Sequence, residues 1–380
     1  MPIIWRYLYK QFFKVFLLTT ISFIFILLVT RLKEIARFIA LSPNIGYVFS
    51  FIVNIVPYIL PIAIPIACLL SSMVLFQKLS QSHELTALRC AGYSLYSLIF
   101  PILSVSLLLS LLNFYIVSEL TSHSQIFSRK MINELITTNP FYLLENRNKL
   151  KKKDFYVDMN IEDRGKSAKN LFIITPDKEN KQLNLMAISE LQINGDELYA
   201  PSINVVSMLE SKDPDSYDHL IIENENNIKT SASDLTKIMH KTHLHLQPHH
   251  LTMPFLKISL REKKNRLLLA LENKDLKEIK KNQLEISDYY SEIARRISIG
   301  LSALTFTMIG IGFSVEIGRN KKKKNLILMT GLTIFGLVCF FVGKIFHTHF
   351  YLAAFVYFIP HISSNIIAIW NLNRTMKGYE

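Results

Sequence analysis

Apolar positions in this chain fall in long charge-free blocks instead of the one-sided stripes of soluble helices. Between successive charged residues lie 16 residues from Lys14 to Arg31, 40 from Arg37 to Lys78 and 29 from Arg89 to Glu119, then 19 from Arg296 to Glu316, 19 from Lys324 to Lys344 and 29 from Lys344 to Arg374. A bilayer core about 30 Å thick takes roughly 20 residues of helix at about 1.5 Å each. Five blocks suffice unaided, and the first does so once Lys14 reaches back to the headgroups. The pattern predicts spans at 11–30, 49–76, 94–116, 296–315, 326–343 and 350–370. They fall as three, a long gap, then three.

Inside the gap the period shortens. Runs at Phe155–Met159, Leu171–Thr175, Leu183–Ile188, Ile203–Leu209 and Leu220–Ile222 are separated by Asp, Asn, Lys, Gly or Pro. That spacing predicts antiparallel strands in a sandwich or roll. Leu171-Phe-Ile-Ile174 is apolar on both faces, so either both are buried or one lines a greasy groove. Residues 255–296 return to helical composition, and Glu285–Arg296 is expected to run as a helix straight into span 4. The expected fold is an α-helical transmembrane bundle of six spans with an inserted all-β, jelly-roll-like domain. Its boundaries are 1–117 for spans 1 to 3, 118–290 for the β domain with a helical connector, and 291–380 for spans 4 to 6.

Composition agrees: half of the 380 residues are hydrophobic, mean hydropathy is +0.24, and 25 Phe stand against 12 Gly. Disordered, collagenous and disulfide-scaffold classes are excluded. The net charge of +13 sits at or beside the spans, the middle region being close to neutral, so the basic pI does not point to nucleic acid. Arg6, Lys10 and Lys14 precede span 1, Lys78 and Arg89 join spans 2 and 3, Arg319 and Lys321 to Lys324 join spans 4 and 5, and Arg374 and Lys377 follow span 6. All four clusters share a side if both termini are cytoplasmic, which puts the middle domain outside the cytosol. The apolar run near the N-terminus is too long for a signal peptide and is expected to remain as a span. Cys68, Cys90 and Cys339 lie in or beside spans and build no disulfide framework.

Several motifs fail on inspection. His83-Glu84 would open a zinc-protease signature, but the second ligand position holds Ala87. Gly336 to Lys344 lacks the spacing of a phosphate loop, so no nucleotide site is visible and any ATP must be used by a partner. The cluster His240, His243, His245, His249 and His250 has no carboxylate or cysteine at ligand spacing, and a solvated polar face is favoured over a metal site. His347, His349 and His361 suggest a proton relay but have no acid within a span to serve it. Pro57, Pro61 and Pro65 recur every four residues in span 2; in a bundle neighbouring helices can satisfy the freed carbonyls, and the span is either simply tolerant of proline or bent around a cavity.

Two features carry more. Ser82 is placed as an N-cap, Glu84 in a first turn and Gly92 as the residue beyond a last turn, which predicts a short helix over 83–91 between spans 2 and 3. Such a helix either docks into a partner's groove or lies on the headgroups. Arg31, Lys33 and Arg37 crowd the outer end of span 1, where orientation rules deplete basic residues, with only Glu34 nearby. Cations at this depth either suit lipid phosphates, at on the order of 4 kcal/mol per close contact at a dielectric of 20 before desolvation, or snorkel to the interface as anchors. Arg295 and Arg296 sit at similar depth within a turn of Glu292.

Together, the three-plus-three spans split by an outer β domain, the opening Arg6-Tyr-Leu-Tyr-Lys10, the stretch Glu84-Leu-Thr-Ala-Leu-Arg-Cys-Ala-Gly92 and Glu292-Ile-Ala-Arg-Arg-Ile-Ser298 resemble a permease subunit of the lipopolysaccharide export transporter, of the six-span F/G type, over nearly the whole chain. The resemblance implies a subunit of the bacterial inner membrane that pairs with a homologous six-span permease and sits on a cytosolic ATPase dimer. It would extract lipopolysaccharide and pass it to a periplasmic jelly-roll bridge protein. By matching position, Glu84, Leu85, Leu88 and Arg89 would belong to a coupling helix, at about 82–91, in the ATPase groove. Arg31, Lys33 and Arg37 would receive lipid A phosphates. No cofactor in this chain is implied. Gly300 departs from the pattern, since such subunits often carry proline there.

Other readings compete. One is a permease for another lipid or a lipoprotein, and another is a non-transporting envelope scaffold that recruits proteins through its β domain.

Overall fold

In the computed structural model, six helices long and apolar enough to cross a membrane coincide with the six charge-free blocks. The structure describes residues 3–41, 45–138, 149–152, 155–162, 167–177, 182–194, 197–209, 219–231, 248–272, 276–315 and 323–377. In chain order the helices are α1 (Ile3–Thr30), α2 (Leu32–Leu41), α3 (Ile45–Gln81), α4 (Glu84–Cys90), α5 (Leu95–Tyr115) and α6 (Thr121–Thr138), then α7 (Met253–Glu272), α8 (Leu276–Ser314), α9 (Lys323–Ile345) and α10 (Phe350–Met376). Spans 1 to 6 are α1, α3, α5 with its continuation, α8, α9 and α10. Helices outrun the charge-free blocks because backbone bonding does not stop where apolar side chains do. Glu285–Arg296 lies within the unbroken α8, as expected.

The chain divides into two units, each taken by itself. One comprises Met1–Lys33, Ser50–Ser128 and Leu246–Glu380, and holds the spans. Within it α3 and α8 are the most buried spans and α1 and α9 the least. Leu8, Phe12, Leu75, Phe76, Leu79, Leu98 and Ile102 form its largest core cluster. Apolar side chains such as Phe25, Ile327 and Phe341 face outward, a normal surface where the solvent is hydrocarbon.

The three prolines of α3 sit inside a continuous helix. A proline lacks the amide that would bond the carbonyl four residues earlier. Pro61 therefore frees the Pro57 carbonyl, which accepts from the Thr121 hydroxyl at 2.9 Å. Pro65 frees the Pro61 carbonyl, which accepts from the Asn113 amide at 3.4 Å. The neighbouring span thus replaces two of the three missing donors. Gly300 has a packing reason: a Cβ there would stand 2.8 Å from the Phe114 Cβ, so its absence lets α5 and α8 approach closely.

The second unit, Glu34–Phe49 with Arg129–His245, contains six antiparallel strands. They are β1 (Lys149–Lys152), β2 (Phe155–Glu162), β3 (Ser167–Asp177), β4 (Gln182–Asn194), β5 (Glu197–Leu209) and β6 (His219–Ser231). Strand order follows chain order, so the described strands make one continuous meander sheet. Leu171, Ile188 and Ile203 share one face through their register, while Ile174, Leu185 and Val206 share the other. Leu171 is wholly buried and Phe172, on the opposite face, is 46% exposed. At this point the doubly apolar strand is packed on one side only.

Candidate functional site

At one end of the spanning unit, α4 follows α3 after a sharp break at Ser82 and His83. The expected cap at Ser82 is corrected: its hydroxyl donates back to the Lys78 carbonyl at 2.9 Å and so belongs to the end of α3. His83 is the N-cap, with φ of 58° in the left-handed region and no side-chain bond to the helix. The other end is as read from the sequence. Gly92 has φ of 89°, its amide donates to the Arg89 carbonyl, and the Tyr93 amide donates to the Leu88 carbonyl. This pair of bonds closes a helix with a left-handed glycine.

Leu85 is 1% exposed and packs in the core cluster with Leu8, Phe12 and Leu79, so it mounts the helix on this chain's own bundle and does not present to a partner. Tyr7 donates to Glu84 Oε2 at 3.0 Å and ties α1 to α4. Leu88 and Arg89 are half-buried, and Thr86, Ala87 and Cys90 are exposed.

Opposite, near where the chain leaves the spanning unit and returns to it, Arg296 is fully buried. Its Nε donates to Glu292 Oε1 at 2.8 Å, its Nη1 to the Ser118 carbonyl at 3.3 Å, and its Nη2 to the carbonyls of Pro248 at 3.4 Å and Leu251 at 2.6 Å. Ser118 lies in a π-helical turn, Ile116–Leu120, between α5 and α6. One guanidinium therefore joins α8 to the outgoing and the returning segments. Glu292 also holds Arg295, accepting from Nε at 2.7 Å and Nη2 at 2.6 Å. A buried carboxylate flanked by two arginines is charge-compensated and hydrogen-bonded, which such burial requires.

Of the three cations at the end of span 1, Arg31 sits at the break between α1 and α2 with its guanidinium 4.7 Å from the Tyr58 ring centroid. Lys33 is exposed. Arg37 falls in the second unit, and its side chain lies outside the described residues.

An open pocket lies among α3, α8, α9 and α10. His361 is pinned at its wall, with Nε2 2.8 Å from Ser298 Oγ and Nδ1 2.9 Å from Thr305 Oγ1. Ser298 Oγ also donates to the Tyr357 carbonyl at 3.1 Å, and Thr305 Oγ1 to the Leu301 carbonyl at 3.3 Å. Through these two hydroxyls His361 ties α10 to α8. His240, His243 and His245 lie outside the described residues, His250 Nδ1 is 2.8 Å from Gln125 Oε1, and no metal-holding cluster occurs among the described residues. The sequence reading noted the pairing of Glu292 but missed the burial of Arg296 and the role of Tyr58; the i,i+4 spacing of Glu292 and Arg296 was the available signal.

Six apolar helices of spanning length with an inserted β sheet define a multi-pass membrane protein. No curated protein matches the chain. A family model described as lipopolysaccharide export system permease LptF/LptG matches residues 6–374, and the chain belongs to that family.

Proposed function

We propose that this chain is the permease subunit that draws lipopolysaccharide from the outer leaflet of the bacterial inner membrane and passes it along its periplasmic β domain to a jelly-roll bridge protein. It pairs with a homologous six-span subunit, and a cytosolic ATPase dimer drives both. The least buried spans, α1 and α9, supply apolar surface for that pairing. Removing a multi-chain lipid from the bilayer costs about 0.8 kcal/mol per CH₂ exposed to water, so both an apolar path and an external motor are needed. Apolar rows on both faces of the sheet support the path. Arg31, Lys33 and Arg37 are the cations offered to lipid A phosphates.

The observation that carries this reading is α4. Buried Leu85 fixes it to the bundle, the Gly92 turn ends it, and Thr86, Ala87 and Cys90 face outward beside Glu84 and Arg89. A push on this helix is transmitted to α1 through Tyr7 and to α3 through Leu79. Charge reversal at Arg89 or Glu84, measured as ATP-dependent lipopolysaccharide release from proteoliposomes containing the whole transporter, tests it. Release is expected to fall; unchanged release removes α4 from the drive.

A further inference from the structure

Where the chain leaves span 3 and where it returns to span 4, two short segments are tied into one joint. Ser122 Oγ donates to the Leu251 carbonyl at 3.1 Å, and His250 Nδ1 stands 2.8 Å from Gln125 Oε1. The outgoing segment is also fixed to α3, through the Thr121 hydroxyl on the Pro57 carbonyl at 2.9 Å and the Ser124 hydroxyl on the Asn54 carbonyl. From α8 the joint is gripped by Arg296, whose guanidinium reaches the carbonyls of Ser118, Pro248 and Leu251. Ser118, Ser122, Ser124 and His250 are all buried, which shields these bonds from competing water.

Stability alone does not select such a grip. A buried ion pair contributes little beyond a well-packed apolar replacement of similar volume. What the guanidinium adds is direction: a planar fork of fixed N–H vectors, here spread over three carbonyls from two segments far apart in the chain. The Ser118 carbonyl belongs to the π turn Ile116–Leu120. A π turn holds one residue more than an α turn, and passing that residue along rotates the helix beyond it by about 100°. The start of α6 therefore has a second orientation within reach, and a side chain bound to the turn itself is placed to select one.

We infer that Arg296 is a positioning residue for transport: by holding Ser118, Pro248 and Leu251 at once, it makes α8 and both connections to the middle region, outgoing and returning, move as one body. This role rests on the proposed function; the geometry of the joint does not. Movement that reaches α8 from the driven end of the bundle is delivered to both connections together. Without the fork, α8 moves and the π turn absorbs the movement.

Two variants separate positioning from stability. Arg296→Lys keeps a charge for Glu292 and gives up the fork. Glu292→Gln combined with Arg296→Met removes the ion pair from both sides and is expected to regain most of the stability lost in Arg296→Met alone. In the full chain in nanodiscs, carrying Cys90→Ser, spin labels at Phe127→Cys on α6 and Leu284→Cys on α8, both exposed positions, report the distance between the outgoing connection and span 4. In each variant the population at displaced distances is expected to rise about tenfold, the weight of one hydrogen bond to a charged group. In proteoliposomes containing the whole transporter, lipopolysaccharide released per ATP hydrolysed is expected to fall by the same factor. An unchanged distance distribution in both variants overturns the joint. So does release per ATP that returns together with stability in the double variant, because Arg296 would then serve folding alone. Absence of ATP-dependent release from the unmutated transporter counts against the proposed function, and the distance measurement then decides the joint by itself.

Discussion

Arg296 Nε donates to Glu292 Oε1 at 2.8 Å with the arginine wholly buried, and the rest of its guanidinium is spent on carbonyls from two chain segments distant in sequence. Removing it leaves those carbonyls without their donor. Arg296→Met is expected to destabilise the purified protein by about 3 kcal/mol or more, the usual cost of breaking a buried pair from one side. Chemical denaturation in detergent measures it; a loss under about 1 kcal/mol would mean that water replaces the donor readily.

Thr121 and Pro57 form a second such replacement. Thr121→Val should cost about 1 kcal/mol, typical of a hydrogen bond between membrane helices. Pro61→Ala restores the amide that the Pro57 carbonyl lacks, so the double variant should lose less than Thr121→Val alone. Strict additivity in that cycle would show that the hydroxyl does not stand in for the missing amide.

Two residues of α4 should separate mounting from docking. Leu85→Ala opens a cavity in the core cluster and is expected to cost about 2 to 5 kcal/mol of stability. Arg89→Glu, on a half-buried position, should change stability by about 0.5 kcal/mol or less while lowering lipid release. Thermal unfolding and release assays on both variants check this. Equal losses of stability would erase the distinction.

Gly300→Ala places a Cβ 2.8 Å from Phe114 and forces α5 from α8. A destabilisation of about 1 to 3 kcal/mol is expected from overpacking. A neutral outcome would mean that the two spans slide apart freely at this level.

The bundle was legible in the sequence because its solvent is lipid. A charge-free block of 19 residues leaves few alternatives, and each of the six became a helix. The proline carbonyls were foreseen for the same reason, since hydrocarbon offers no substitute donor. The C-terminal end of α4 was legible because Gly92 alone tolerates the φ required there at no cost. Its start was not: Ser82 fits an N-cap by type, yet its hydroxyl was already taken by the turn before it, a competition that local pattern does not reveal. Leu85 and Leu88 looked alike as apolar positions on a short helix, and only packing against α1 and α3 distinguished the buried one. Arg296 read as another basic residue at a span end because its partners come from residues 118 and 248–251, far along the chain.

The most direct measurement uses a reporter already present. Of the three cysteines, Cys90 on α4 is exposed, while Cys68 and Cys339 are buried. A membrane-impermeant maleimide should label Cys90 in inverted inner-membrane vesicles stripped of the ATPase and leave it untouched in spheroplasts, since the proposed function requires α4 on the cytosolic side where a motor can reach it. Labelling in spheroplasts with protection in inverted vesicles would place α4 outside and contradict the account of how this permease is driven.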